Sequence, residues 1–331
     1  MYKLIEPVTA HHNEVLELAT RYENMVGSLS TLSDIRGEAV AAVLEADSSD
    51  LFGETIGEMK ALLEDHEIGL CAVDIPYDVT SNPARDAVLG CLASTAIVHA
   101  VSPPVDDTKN GTPFNLYNAS QSNEGKLKSA GLRYYSPEDR LGFHTDGLLR
   151  DGSIFVPNFI AVYNIMVAYR RPGNFYYLPT SLWHEYGRFR DGIGINRDVT
   201  FSMTPIVYSD KNGNIVSSDG QMLTAPIFWK GNDIETVFFN GEVDTGPADI
   251  IDLAREMTNS LLDNPYRIAC PIRNRRLFVM ANDRGFHARD IFADPIEGVP
   301  YTRSFLRYVS RDGHCVKAAS KEALQEVTVA S

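Results

Sequence analysis

The chain has 331 residues, 44% of them hydrophobic, enough for a substantial core in one large domain or two small ones. Its formal net charge of -14 argues against a general nucleic-acid binder, because phosphate binding rests on Lys/Arg-rich surface, and it is otherwise a solubility feature with at most a weak pull on cationic substrates. No run approaches the roughly 18 consecutive apolar residues of a membrane span, and the N-terminus has no charged-then-apolar signal. Cys71, Cys91, Cys270 and Cys315 stand singly, with no Cys-x-x-Cys pair. The expectation is a cytoplasmic protein with reduced thiols, no zinc ribbon and no membrane or nucleic-acid partner.

Apolar residues recur at helical spacing in Asn13 to Val26, Ser33 to Glu45, Thr55 to Asp65 and Asn82 to Ala100. Ser33-Asp34 and Asn82-Pro83-Ala84 are helix starts, the second with proline in the first turn. Between the last two helices, the apolar run Gly69 to Ile75, ended by Pro76, predicts a strand at a sheet edge.

From about residue 112 the pattern changes to short β-like runs divided by Gly, Pro, Asn and Asp. They are Phe159 to Tyr169, Asn174 to Leu178, Pro205 to Tyr208, Ile215 to Ser218, Ala225 to Trp229, Glu235 to Asn240, Leu277 to Ala281 and Ser304 to Val309. Asp210 to Asn214, with Asn212-Gly213 suited to positive φ, predicts a hairpin turn. One amphipathic helix, Ala248 to Leu262 after Gly246-Pro247, interrupts the strands and is expected on the outside of a β-sandwich or barrel. Nothing in the composition divides the chain. The reading is one α+β domain over 1–331: helical elaboration at 1–111, β core at 112–312, and a tail at 313–331 that is either a terminal helix or frayed.

The chemistry gathers in Leu141-Gly142-Phe143-His144-Thr145-Asp146-Gly147. On an extended strand, residues two apart share a face, so His144 and Asp146 can converge on one metal ion. A distant second histidine would complete the two-histidine, one-carboxylate set that leaves positions open on a non-haem Fe(II). The chain carries its own control: His12-Asn13-Glu14 has the same form but lies on a helical run, where residues two apart do not face each other. Downstream, His287 stands in Asn282-Asp283-Arg284-Gly285-Phe286-His287-Ala288-Arg289, expected as a turn after the strand Arg276 to Ala281, and Arg303 and Arg307 stand on the final strand.

In the order and spacing of these motifs the chain resembles the clavaminate synthase-like iron(II)/2-oxoglutarate oxygenases, a branch of the taurine dioxygenase-like superfamily, over roughly residues 112 to 312. The resemblance implies a double-stranded β-helix (jelly-roll, cupin-like) core. It implies His144, Asp146 and His287 as the catalytic iron ligands, 2-oxoglutarate and O2 as cosubstrates, and Arg303 on the distal carboxylate of 2-oxoglutarate. A guanidinium suits that task because its planar fork binds a carboxylate in two places. Arg307 would hold the substrate's carboxylate or support the cosubstrate. The chain departs from the pattern in reading His-Ala-Arg for His-Gly-Arg, and in a slightly longer interval from His287 to Arg303. Relatives also carry a Gly-x-Thr threonine that meets the cosubstrate; here Pro172-Gly173-Asn174-Phe175 has none, so either Asn174 donates in its place or the contact is absent.

Related halogenases replace the carboxylate ligand with a small residue, so Asp146 makes hydroxylation the default reaction, with desaturation or cyclisation open to the same ligands. The branch oxidises small polar metabolites, often free basic amino acids. Glu242, with Asn240 or Asp244, would pair with an amine or guanidine, and Asn118, Ser120 and Gln121 are candidate pocket residues. Trp183-His184-Glu185 and Phe175-Tyr176-Tyr177 read as core and packing, His99 as packed, and His314 as part of a turn. A sulfonate or other anion held by Arg307 is the second enzymatic reading. A cupin-like binding module is the non-enzymatic one, and a Zn(II) hydrolase would share the ligands but has no need of Arg303.

Overall fold

Asn82 begins the helix that organises the N-terminal third. Its Oδ1 accepts from the amides of Ala84 and Arg85, at 3.0 and 3.2 Å, and Pro83 occupies the first turn, where no amide is needed. The computed structural model describes residues 3–45, 51–76, 78–107, 110–120, 137–150, 153–203, 207–209, 215–217, 221–231, 234–241, 243 and 245–316. Among these the helices of the N-terminal third are α1 (His12–Val26), α2 (Gly37–Glu45), α3 (Gly53–Glu64) and α4 (Pro83–Val101). His12 and Glu14 lie within or beside the first turn of α1, so the control motif is helical. Among the described residues α4 is long and apolar enough to cross a membrane, and about two-thirds of that stretch, 67%, is buried inside the protein.

Two large sheets hold the rest in place. The eight-stranded one runs, in spatial order, Ile215–Ser217, Val207–Ser209, Asn115–Ala119, Arg303–Val309, Phe159–Val167, Arg276–Ala281, Leu70–Asp74 and Val8–Thr9. The five-stranded one runs Lys3–Leu4, Ile268–Pro271, Asn174–Pro179, Gly285–Arg289 and Leu141–His144. The fold is thus mixed α/β with several sheets. The first hundred residues also supply strands to both large sheets, so they are more than a helical elaboration. Leu70–Asp74 is second from the edge, covered by the two-residue strand Val8–Thr9.

Three packed layers follow from which face of each strand is apolar. Helices α1 to α4 bury one face of the eight-stranded sheet, with Ala161, Tyr163, Leu277, Val279, Leu306 and Tyr308 turned toward them. Phe175, Tyr177, Cys270, Phe278, Met280 and Phe292 fill a second core drawn from both sheets, where Phe175 stacks on Phe278 at 4.9 Å between ring centroids. The outer face of the five-stranded sheet, through Phe143, Leu178, Phe286 and Ala288, packs on α5 (Tyr186–Ile193) and α6 (Ala248–Asp263). Helix α6 therefore lies outside the sheets, and Trp183 is sealed beside it with Nε1 donating to Ser260.

Several boundaries differ from the sequence expectation for local reasons. The run Phe159 to Tyr169 breaks after Val167, and Tyr169–Arg171 pairs separately with Ala293–Pro295. Ala225 to Trp229 is two strands, Gln221–Pro226 and Phe228–Gly231: Pro226 is the last residue paired with the first partner strand, opposite Asp198, and the chain bends at Ile227 before Phe228 pairs with Val237. His314 lies in the strand Gly313–Val316, paired with Ser153–Pro157, and not in a turn. Ser209 pairs with Ile215, which makes the expected hairpin; its turn, and residues 317–331, lie outside the described residues.

Candidate metal centre

The strand Leu141–His144 ends at His144, which pairs directly with His287 on Gly285–Arg289. His287 therefore sits on a strand and not in a turn, and the pairing sets the two imidazoles side by side, ring centroids 4.1 Å apart. Asp146 lies beyond the strand end, so the alternation expected of an extended His-x-Asp does not bring it in; the loop does. Asn282, fully buried, accepts from the Asp146 amide at 2.7 Å and donates from Nδ2 to the Asp146 and Pro157 carbonyls at 3.0 Å each. Thr145 adds a clasp on the other side. Its amide donates to the Phe239 carbonyl and its Oγ1 accepts from the Phe239 amide, both at 2.8 Å. Gly147 closes the loop where a Cβ would lie 2.5 Å from the Phe238 ring, so no larger residue fits there without movement.

The result is a convergence of three ligand types. Asp146 Oδ1 lies 3.5 Å from His144 Nε2 and 3.9 Å from His287 Nε2, and one donor atom from each residue lies within 4.8 Å of the others. Among the described residues this is the cluster of metal-ligating side chains with such geometry. The His144 Nδ1 contact with the Gly142 carbonyl at 2.8 Å places the proton on Nδ1 and leaves the Nε2 lone pair for a metal. Burial, with His144 beside it, pushes the His287 pKa down to about 3, so this imidazole is neutral. Burial alone would raise the pKa of Asp146, but Arg307 and the two histidines hold its carboxyl well below the usual range. Two imidazole Nε2 atoms and one ionised carboxylate oxygen are the donor set that a divalent metal requires, and the residues fit it.

The eight-stranded sheet faces this cluster with its arginines. Arg307 donates from Nη2 and Nε to Asp146 Oδ2, at 2.8 and 3.1 Å, leaving Oδ1 turned to the histidines. Arg303, four residues earlier on the same strand face, is 7% exposed, and its Nη2 and Nε donate to one acceptor, Asn164 Oδ1, at 2.9 and 3.2 Å. Its guanidinium lies over the rings of Phe305 and Phe292, 4.1 and 5.1 Å from their centroids. Among the described residues no carboxylate forms an ion pair with it, and burial followed by repulsion from Arg289 lowers its pKa well below the usual value. A desolvated cation of this kind is a receptor for an anion.

Other expected site residues fall differently. Asn174 and Tyr176 alternate with Phe175 and Tyr177; Phe175 stacks on His287, whereas Asn174 binds Asp290 through its amide at 2.9 Å, on the other face of the sheet. Asn174 therefore does not reach the centre. Asn118 pairs with Ser304, and the neighbouring Tyr117–Phe305 stack at 4.8 Å shows that Tyr117, Phe305 and the two arginines share the inner face. Asn118 is turned the opposite way, with Leu116 and Leu306 toward the helices, one residue out of phase with the expectation. Asn240 follows the Phe239 clasp and so adjoins the metal loop. Ser120 is buried, and Gln121, Glu242 and Asp244 lie outside the described residues. Sequence reasoning missed Asn164 and Asn282. A lone amide inside the apolar run Phe159 to Val167, and another at the end of Arg276–Ala281, were the signals.

No protein-family model matches the chain, and no curated protein matches it. Solved structures do. An asparagine oxygenase superposes with a TM-score of 0.63 at 13% identity, over 92% of each chain. A structure of asparagine oxygenase with Fe(II), (2S,3S)-3-hydroxyasparagine and succinate gives 0.61, also at 13% identity and 92% of each chain. The non-heme iron oxygenase OrfP with Fe and α-ketoglutaric acid gives 0.55 at 11% identity, over 94% of each chain. The chain shares its fold with these oxygenases along nearly its whole length.

Proposed function

We propose that this protein is an Fe(II)/2-oxoglutarate-dependent oxygenase that hydroxylates an unactivated C–H bond of a small polar metabolite of the amino-acid class. The observation that carries the reading is the juxtaposition of a His144, Asp146 and His287 donor set with the desolvated, carboxylate-free guanidinium of Arg303 on the facing sheet. In this reading the chain is one oxygenase domain, and the two large sheets are the walls of a double-stranded β-helix. The solved structures of the same fold support the substrate class, since their bound molecules include 3-hydroxyasparagine and, in OrfP, L-canavanine.

His144, Asp146 and His287 would hold the metal. Bound there, Fe(II) with 2-oxoglutarate and O2 supplies the oxidant that inserts oxygen into a C–H bond, with succinate and CO2 as co-products. The chain's own part is placement. His144 keeps its proton on Nδ1 against Gly142, so Nε2 stays a donor. Arg307 occupies Asp146 Oδ2, which leaves one carboxylate oxygen for the metal and compensates its charge. Arg303 receives the distal carboxylate of 2-oxoglutarate, and Asn164 fixes the plane of its guanidinium. Phe175, stacked on His287 at 6.0 Å, and Phe292 keep water from that side. Asn240, carried beside the metal loop by the Phe239 clasp, is the described residue best placed to meet the substrate.

The test is a screen of free amino acids, with Fe(II), O2 and 2-oxoglutarate, for succinate formation and for a mass gain of one oxygen atom. Asp146→Ala is expected to abolish both. Turnover that persists without 2-oxoglutarate, or in Asp146→Ala, would falsify the reading.

A further inference from the structure

Asn164 reaches Arg303 because the strand Phe159–Val167 carries a bulge. Its register on Arg303–Val309 pairs Arg303 with Val167 and Ser304 with Met166, then slips so that Phe305 faces Asn164. Counted from Arg303 without the slip, Ile165 would stand opposite Phe305 on the inner face and Asn164 would turn toward the helices. The extra residue exchanges the two. Ile165 packs with the helix-side core, and Asn164, fully buried, shares the inner face with Phe305 and Arg303.

The turn that carries the chain from the five-stranded to the eight-stranded sheet holds this bulge at two backbone atoms. The Val167 amide donates to Asn274 Oδ1, and the Arg275 amide donates to the Asn164 carbonyl at 2.7 Å. Asn164 Nδ2 faces the Arg276 carbonyl at 3.5 Å, which leaves Oδ1 as the atom turned to Arg303, where two N–H groups of the guanidinium converge on it. A carboxylate in that place would accept the same two hydrogen bonds and neutralise the guanidinium as well. The amide gives orientation without charge, and among the described residues no carboxylate forms an ion pair with Arg303.

We propose that Asn164 is a positioning residue that sets the preference for a dicarboxylic keto acid: its neutral oxygen fixes the Arg303 fork and leaves the positive charge to the distal carboxylate of 2-oxoglutarate. The proposal rests on the oxygenase reading above and goes beyond it, because neutrality at position 164, and not only the presence of Arg303, then decides which keto acid binds. A residue that merely filled the bulge would influence every ligand of the metal alike. Asn164 acts on the far end of the ligand alone.

That difference is measurable as binding, without turnover. Fe(II)-loaded protein is titrated anaerobically by calorimetry with 2-oxoglutarate and with 2-oxobutanoate, which has the same keto-acid head and no distal carboxylate. Wild-type protein is expected to prefer 2-oxoglutarate. Asn164→Asp gives Arg303 a carboxylate of its own, so 2-oxoglutarate affinity should fall roughly 30-fold or more, the size of a charged hydrogen bond, with 2-oxobutanoate unchanged. Asn164→Ala keeps the charge and loses the anchor, so it should fall only roughly 3-fold, again for 2-oxoglutarate alone, and it serves as the test variant if the aspartate form does not fold. A preference for 2-oxoglutarate left intact in the variants overturns the proposal and leaves the oxygenase reading standing. Equal weakening of the two keto acids does the same, as does an alanine form that loses as much as the aspartate form, or wild-type protein that binds the two keto acids equally. Wild-type protein that binds neither keto acid overturns both.

Discussion

The five-stranded and eight-stranded sheets meet at one centre and prepare it in opposite ways. The five-stranded side brings the three candidate metal ligands, and it places them with neutral groups: a strand pairing for the histidines, the Gly142 carbonyl for the His144 tautomer, and Asn282 and Thr145 for the Asp146 loop. The eight-stranded side brings Arg303 and Arg307, one left without a carboxylate and the other paired with Asp146. The Asp146 loop is satisfied as folded, whereas Arg303 keeps an electrostatic demand that a ligand can meet. Satisfied polar networks fix geometry, whereas an uncompensated buried cation stores binding energy at the expense of stability.

Removing the demand should have the largest effect. Arg303→Gln keeps a donor for Asn164 Oδ1 but deletes the charge, so 2-oxoglutarate affinity is expected to fall by roughly 10- to 100-fold, the value of charge-assisted hydrogen bonds. The same variant should melt higher than wild type when no 2-oxoglutarate is present, because a desolvated cation has gone, and it should gain little when 2-oxoglutarate is added. Thermal melts with and without 2-oxoglutarate check both statements. A variant that melts lower than wild type, and still gains stability from 2-oxoglutarate, would show that the two sides do not differ in this way.

On the satisfied side, the corresponding test is Asn282→Ala. It leaves the Asp146 amide and the Asp146 and Pro157 carbonyls without their buried partner, and each such group carries a penalty of about 1–3 kcal/mol. Metal affinity should drop about 10- to 100-fold, as is typical when an outer partner of a ligand is lost. Competition with a chelator measures it. Stability should also fall in the metal-free protein, the opposite sign from Arg303→Gln. If both variants shift stability in the same direction, the contrast between the sheets is wrong.

The sequence carried the ligand types and the order of the motifs, but not the way the ligands are brought together. His144 and Asp146 were legible as a pair, although the strand alternation that recommended them stops at His144 and the loop is shaped by Asn282, 136 residues away. A hydrogen bond across that distance leaves no local periodicity to read. Arg303 was legible as a residue type on a late strand, while its isolation from carboxylates depends on what the facing sheet supplies. Asn118 shows the sharpest limit: in a strand a shift of one residue exchanges the two faces, and nothing in Leu116-Tyr117-Asn118-Ala119 fixes which face is inward until Tyr117 meets Phe305. The helices were read more securely, since an amphipathic run such as 248–262 states its own buried face.

Asn174 gives the smallest expected effect, and for that reason a clean one. Its amide nitrogen binds Asp290, its side chain lies beside Tyr176 and Asp290, and Phe175 next to it takes the inward position. Asn174→Ala removes weak side-chain contacts of 3.4 Å and leaves the backbone bond in place, so stability should change by less than about 1 kcal/mol. Its affinity for 2-oxoglutarate should stay within about two-fold of wild type, far from the loss expected on the arginine side. Calorimetric titration decides it. A ten-fold loss would place Asn174 among the cosubstrate contacts and mean that the strand Asn174–Pro179 turns its other face to the centre; an unchanged value leaves Arg303 as the proposed partner of the distal carboxylate.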